Sequence, residues 1–357
     1  MRGLRLQTLL LVAAMCLAWP AHADPGAGGP EPQYPAALGI GLEAWPYPFA
    51  VHFLEVQNEG QLLRMAYMDV APVGTANGQT VVLLHGKNFG GFYWERTARL
   101  LSRAGYRVVI PDQIGFGKSS KPDLAYSFDL LASNTLLLLD DLHVARFTLL
   151  GHSTGGMLAI RLAITQPERV DRLILEDPVG LEDYRRSIPP QSTETLYRQQ
   201  LELTPEAYRR YVHAYFVHWD QRFEHELVEP YVRLMGSGEY PRFAKAQALT
   251  SQMIYQQPVV YELAALKMPV LLIYGARDRT APGKAAARPG LAGTLGDFPK
   301  LARAAAAAMP DARVIEVPDV GHIPHLEAPE AFEAALGDFL TQAHPGPAPS
   351  PHPSPHP

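Results

Sequence analysis

The chain has 357 residues, 47% of them hydrophobic and 19% charged, with 31 Lys and Arg against 36 Asp and Glu. That composition fits a soluble globular protein with ample chain for a large core, and its acidic balance excludes an electrostatic footprint for nucleic acid or an anionic membrane. Cys16 is the only cysteine, so no intramolecular disulfide can form.

In chain order, residues 1–23 read as a secretory signal peptide. Arg2 and Arg5 precede an apolar run over 9–19, and Ala21-His22-Ala23 offers a small-x-small cleavage site before Asp24. A membrane anchor is the rival reading, but the run falls short of the roughly 20 apolar residues that span a bilayer. Loss of Arg2 and Arg5 lowers the basic count from 31 to 29 against 36 acidic residues, a net charge of −7. Residues 24–39 are Pro, Gly and Ala with little else and read as a disordered linker; the Pro-rich tail over 344–357 reads the same way.

Between these ends, segments 50–56 and 62–68 flank Asn58-Glu59-Gly60 and predict an antiparallel hairpin. Apolar runs at 80–84, 107–110, 147–150, 172–175, 270–274 and 313–317 predict strands buried on both faces of a parallel sheet. Helical patterns at 93–103, 130–142, 156–165, 299–308 and 329–341 separate them. The result is an α/β fold, an eight-stranded, mostly parallel sheet wrapped by helices, with its core in 40–180 and 269–343. Residues 181–268 break the alternation and read as an inserted helical lid. Its clearest helix opens at Thr204-Pro205-Glu206, and Tyr208, Tyr211, Val212, Tyr215, Phe216 and Trp219 then recur at helical spacing. That stripe either packs the lid onto the core or lines a pocket, where Tyr215 and Trp219 would touch substrate.

The strand at 147–150 runs into Gly151-His152-Ser153-Thr154-Gly155 and then a helix. This G-x-S-x-G pattern predicts a sharp strand-to-helix turn that holds a serine hydroxyl above the sheet edge, at a helix N-terminus where developing negative charge is favoured. Alone the pattern is common. Three further elements follow the expected order: Leu83-Leu84-His85-Gly86-Lys87-Asn88 after one strand, Pro111-Asp112-Gln113-Ile114-Gly115-Phe116-Gly117-Lys118-Ser119 after the next, and Asp278 and His322 after the last two.

With these motifs, 50–343 resembles the α/β-hydrolase superfamily. The resemblance implies Ser153 as nucleophile, His322 as base and Asp278 as the acid that orients it, with the amides of Lys87 and Thr154 forming an oxyanion hole. Asp112 and the glycines after it read as loop architecture. Asn88 is a further hydrogen-bond donor toward substrate, the Lys87 side chain is expected in solvent, and His152 either packs or touches substrate. Asp177 is the rival acid and His325 the rival base. Superfamily members with dehalogenase or epoxide hydrolase activity carry aspartate as nucleophile, so Ser153 argues against both. The expected function is an exported serine esterase or lactonase acting on an apolar small molecule, with no metal or organic cofactor, nucleic acid or stable membrane anchor. Carbon–carbon bond or amide hydrolysis by the same triad stays open, as does a non-catalytic ligand-binding member of the fold.

Overall fold

Glu59 and Gly60 both take positive φ, 47° and 75°, the geometry of a tight hairpin turn. They join β1 (Val51–Asn58) to β2 (Gln61–Val70), antiparallel from Val51 opposite Met68 to Asn58 opposite Gln61. In this computed structural model residues 34–342 are described. The expected signal peptide and tail, and residues 24–33 of the expected linker, lie outside them.

The remaining strands are β3 (Thr80–Leu84), β4 (Arg107–Pro111), β5 (Phe147–His152), β6 (Val170–Glu176), β7 (Val270–Gly275) and β8 (Ala312–Val317). One sheet orders them β1-β2-β4-β3-β5-β6-β7-β8; β2 meets β4 antiparallel, and every pair from β4 to β8 is parallel. Neighbouring residues of the parallel strands serve opposite faces. Leu149, Leu173 and Leu272 pack into the core on one side, and Leu150, Ile174 and Leu271 into the core on the other, all fully buried. This two-sided burial is why these strands read as unbroken apolar runs.

Helices α1 (Glu95–Arg103), α2 (Phe128–Asp141), α3 (Thr154–Thr165), α8 (Phe298–Ala308), α9 (Pro324–Glu327) and α10 (Pro329–Thr341) flank the sheet. The chain steps from β3 to β4 in one direction and then to β5 in the other, so the carboxyl ends of β3 and β5 border a topological switch point, the place where open α/β sheets form their sites.

Residues 181–268 carry α4 (Thr193–Leu201), α5 (Pro205–His213), a π-helical turn (Glu224–Val228), α6 (Glu229–Met235) and α7 (Tyr240–Gln256). Thr204 caps α5 by accepting the Ala207 N–H at 3.2 Å, with Pro205 in the first turn. Most of the aromatic stripe packs inside this lid. Tyr208 stacks on Tyr231 at 3.8 Å, Phe216 on Phe223 at 4.3 Å and Trp219 on His213 at 3.5 Å. Trp219 is thus committed to lid packing rather than to a substrate pocket.

The expected linker is corrected as well, because residues 34–39 are tied to the lid by particular contacts, although most of them stay exposed. Leu38 is buried, its N–H donates to the Arg233 carbonyl at 3.1 Å, and the Arg233 guanidinium donates to the Ala36 carbonyl at 2.9 Å. Leu38, Ile40, Leu42 and Trp45 join the same core as lid residues Tyr231, Leu234 and Phe243. A Pro- and Gly-rich composition hid a strap that the apolar surface of α6 and α7 holds in place.

Candidate active site

Ser153 follows β5 directly and caps α3, with φ 56° and ψ −118°. Such a backbone is strained for any side-chain-bearing residue and persists only where packing enforces it. Packing also explains the two glycines of the motif. A Cβ on Gly151 would lie 2.3 Å from the Gly155 carbonyl oxygen, and one on Gly155 would lie 2.2 Å from that of Leu84. Helix α3 begins at Thr154, two residues earlier than expected, so the Thr154 amide is in the first turn and has no intrahelical acceptor.

The register carries the other residues to the same edge: Leu84 lies beside Gly151, His152 beside Glu176, Glu176 beside Ile273 and Gly275 beside Val317. The loops leaving β3, β5, β6, β7 and β8 therefore converge. His322 Nε2 lies 3.0 Å from Ser153 Oγ, and His322 Nδ1 lies 2.7 Å from Asp278 Oδ2. All three residues are buried, Ser153 at 7% exposure being the most accessible. Asp278 Oδ1 also accepts the Thr280 N–H at 2.8 Å. Burial works to raise the Asp278 carboxyl, but the charge and hydrogen bond of His322, with help from Thr280 and Asp177, hold it below the usual carboxylate range.

The rival acid and base occupy different places. Asp177 bonds the Gly275 N–H through both oxygens at 3.2 Å and shares a hydrogen bond with Asp278. Burial, then the charge of Asp278, pushes its carboxyl well above the usual range, which favours its protonated form beside Asp278. Donor atoms of Asp177, Asp278 and His322 lie within 4.8 Å of one another. Hydrogen bonds among the three account for this grouping. His325 turns away from Ser153: its Nδ1 bonds both oxygens of Glu176 at 2.9 Å, and its ring stacks on Trp94 at 4.1 Å.

His152 lies beneath the site, fully buried, and does not face substrate. Its Nε2 meets the His322 carbonyl at 2.9 Å, so that nitrogen carries the proton, and its Nδ1 accepts from Tyr93 Oη at 2.9 Å. Tyr93 Oη in turn accepts the Gly86 N–H at 2.8 Å. Burial first, and then His322 and His325, drives the His152 ring well below its ordinary pKa, which keeps it neutral. This series of bonds ties the turn after β3 to the backbone of His322. His85 pins the same turn, bonding the Gly86 carbonyl at 2.8 Å through Nδ1 and accepting the Gln113 N–H at 3.0 Å through Nε2. Asp112 is architectural as expected, accepting from Gly91 and Lys118 amides and from Tyr47 Oη.

The Lys87 side chain does not run to solvent. Its Nζ donates to Gln247 Oε1 of α7 at 2.7 Å, and burial pushes the amine down to about 7. The Lys87 N–H itself donates to no acceptor among the described residues. Asn88 sits at φ 74°, half-buried, with Nδ2 3.5 Å from Tyr211 Oη. Tyr215 closes the site from the lid: its carbonyl accepts the His322 N–H at 2.6 Å and its ring lies 4.8 Å from that of His322. Glu327, which the sequence did not single out, locks this junction by accepting the amides of Val217, His218 and Gly321 at 2.7, 2.6 and 2.8 Å.

A histidine that touches a serine hydroxyl and is held by a buried carboxylate can take up the hydroxyl proton and return it to a leaving group. Fold and site together define an α/β protein built for acid–base chemistry at a switch-point edge. The chain belongs to the alpha/beta hydrolase family, whose model matches residues 81–335. It is 30% identical over 237 residues to a 2-hydroxy-6-oxononadienedioate/2-hydroxy-6-oxononatrienedioate hydrolase of Burkholderia vietnamiensis, covering 64% of this chain and 80% of that protein. It is 34% identical over 147 residues to a haloalkane dehalogenase of Mycolicibacterium paratuberculosis, covering 40% of this chain and about half, 48%, of that relative. Among solved structures, a probable hydrolytic enzyme of Pseudomonas aeruginosa superposes with a TM-score of 0.84 at 45% identity, covering 86% of this chain and 99% of that one.

Proposed function

We propose that the chain is an exported serine hydrolase that cleaves an ester or lactone through an acyl-enzyme. The observation that carries the reading is the unbroken line Asp278–His322–Ser153, with contacts of 2.7 and 3.0 Å in a buried site. Ser153 Oγ attacks the acyl carbonyl as its proton passes to His322 Nε2, and Asp278 stabilises the imidazolium. The amides of Lys87 and Thr154 receive the tetrahedral oxyanion. His322 then gives the proton to the leaving alkoxide; water, deprotonated by the same nitrogen, attacks the acyl carbon and restores Ser153. Phe89, Tyr211 and Tyr215, grouped beside the turn after β3 and the His322 loop, favour an apolar portion in the substrate. The dehalogenase relative's activity is not carried over, because a serine occupies the turn.

Carbon–carbon bond hydrolysis is the second reading, favoured by the extent of the match to the Burkholderia vietnamiensis relative. Both readings use Ser153. A fluorophosphonate probe, applied to the periplasmic fraction of cells making the full chain, is expected to label Ser153 and no other residue. Folded protein that takes no label would overturn the serine-hydrolase reading, and label confined to the cytosol would overturn export.

A further inference from the structure

Two groups that must act together at Ser153 come from strands far apart in the sheet. The turn bearing the Lys87 amide leaves β3 and the loop bearing His322 leaves β8, with β5, β6 and β7 between them. Four strand spacings separate these origins by about 19 Å. The sheet alone therefore leaves their mutual placement to contacts that cross the strand ends.

His152, the last residue of β5, stands in the middle of such a crossing. Its Nε2 donates to the His322 carbonyl at 2.9 Å, its Nδ1 accepts from Tyr93 Oη at 2.9 Å, and Tyr93 Oη accepts the Gly86 N–H at 2.8 Å. The direction of all three bonds is forced, because an amide N–H only donates and a carbonyl only accepts. One tautomer of His152 and one rotation of the Tyr93 hydroxyl satisfy them, and both side chains are buried, His152 fully. The far end of the line holds the peptide that carries the proposed oxyanion donor: Gly86 C=O and Lys87 N–H belong to one planar unit and point opposite ways. Tyr93 holds Gly86 at its N–H while His85 Nδ1 bonds its carbonyl at 2.8 Å, so the plane that aims the Lys87 N–H is fixed from both sides. The turn also seats tightly against the nucleophile. A Cβ on Gly86 would lie 2.9 Å from His152 Nδ1 and 3.2 Å from Ser153 Cβ.

We propose that Tyr93 and His152 are a positioning pair for the hydrolytic reaction, setting the Lys87 amide and His322 at their working separation across Ser153. Both act through other groups, Gly86 at one end and the His322 backbone at the other. The role rests on the serine-hydrolase reading. Its signature is a loss in the chemical step with binding spared, since a misplacement of about 1 Å among reacting groups can cost on the order of a hundredfold.

The test follows phosphonylation of Ser153 by a fluorophosphonate at a series of probe concentrations, which separates the maximal rate from half-saturation and needs no known substrate. Tyr93→Phe keeps the ring and cuts the line at Gly86. His152→Asn keeps an acceptor for Tyr93, but its amide is too short to reach the His322 carbonyl. Rates are taken on the fraction that labels, so partial unfolding does not count. Each variant is expected to lose at least about tenfold in maximal rate, with half-saturation within about twofold of the wild type. The double variant is expected to stay within about threefold of the slower single one, because two cuts in one line act once. Independent structural roles would instead multiply the two losses, or lower the labelled fraction at an unchanged rate. Either result, or single variants that label at the wild-type rate, would overturn the pairing. Folded wild-type protein that takes no label overturns the serine-hydrolase reading, and the positioning role falls with it.

Discussion

Two buried histidine–carboxylate pairs lie three residues apart on the stretch after β8, and only one of them meets a hydroxyl. His322 bonds Asp278 through Nδ1 at 2.7 Å and His325 bonds Glu176 through Nδ1 at 2.9 Å, with both imidazoles 1% exposed. The difference is at the other ring nitrogen. His322 Nε2 faces Ser153 Oγ at 3.0 Å, whereas His325 Nε2 has no partner among the described residues and its ring is clamped against Trp94. A buried His–carboxylate pair is therefore not by itself a catalytic device; what lies beyond the second nitrogen decides.

The largest contrast is expected between the two histidines. His322→Gln removes the base and should lower kcat for an activated ester by on the order of 10⁶, as loss of a triad histidine does. His325→Gln should leave kcat of the folded fraction within about tenfold while destabilising the fold by about 1–3 kcal/mol, because the buried Glu176 keeps the His325 backbone N–H but loses its contacts with the ring. Urea unfolding beside steady-state kinetics measures both, and equal loss of kcat in the two variants would erase the distinction. The carboxylates should divide the same way with a smaller span. Asp278→Asn is expected to cost about 10⁴ in kcat with little change in stability at neutral pH, and near-normal turnover would move the acid role to Asp177.

The smallest effect is expected at Asp177, which bonds Asp278 and the Gly275 N–H but neither His322 nor Ser153. Its carboxyl is raised in the folded protein, so it contributes stability at pH values below the unfolded carboxylate pKa of about 3.9, and that contribution is lost as pH climbs toward the folded value. Asn is a neutral isostere of the protonated form. Asp177→Asn should therefore keep turnover within about fivefold, and its thermal midpoint should gain on the wild type as pH rises from 4 to 8. A midpoint difference that stays flat with pH would mean that Asp177 is ionised.

The turn at Ser153 and the positions of Asp278 and His322 were legible because each follows within a few residues of an apolar strand pattern, in the order that the family motifs lead one to expect. Local rules place such residues at one sheet edge. His325 and Asp177 remained rivals in the sequence because they leave the same edge within a few residues of the favoured ones. Only side-chain direction separates them, and direction is set by partners far along the chain: Trp94 and Glu176 for His325, Gly275 for Asp177. The lid was the least legible part. Helical spacing over-extended its aromatic stripe: α5 ends at His213, so Tyr215, Phe216 and Trp219 lie beyond it, and most of the rings turn inward onto other lid residues, Trp219 among them.

By itself, then, the sequence determined the strand order of chemistry along the chain, the sharp turn that needs glycine at 151 and 155, and the family of the fold, since all of these follow from local pattern and backbone sterics. Tertiary structure alone decided that Lys87 reaches Gln247 rather than water, that His152 is a buried support, that residues 34–39 form a strap, and which of two histidine pairs touches the serine. Those outcomes depend on contacts between residues more than a hundred positions apart, which no local spacing encodes.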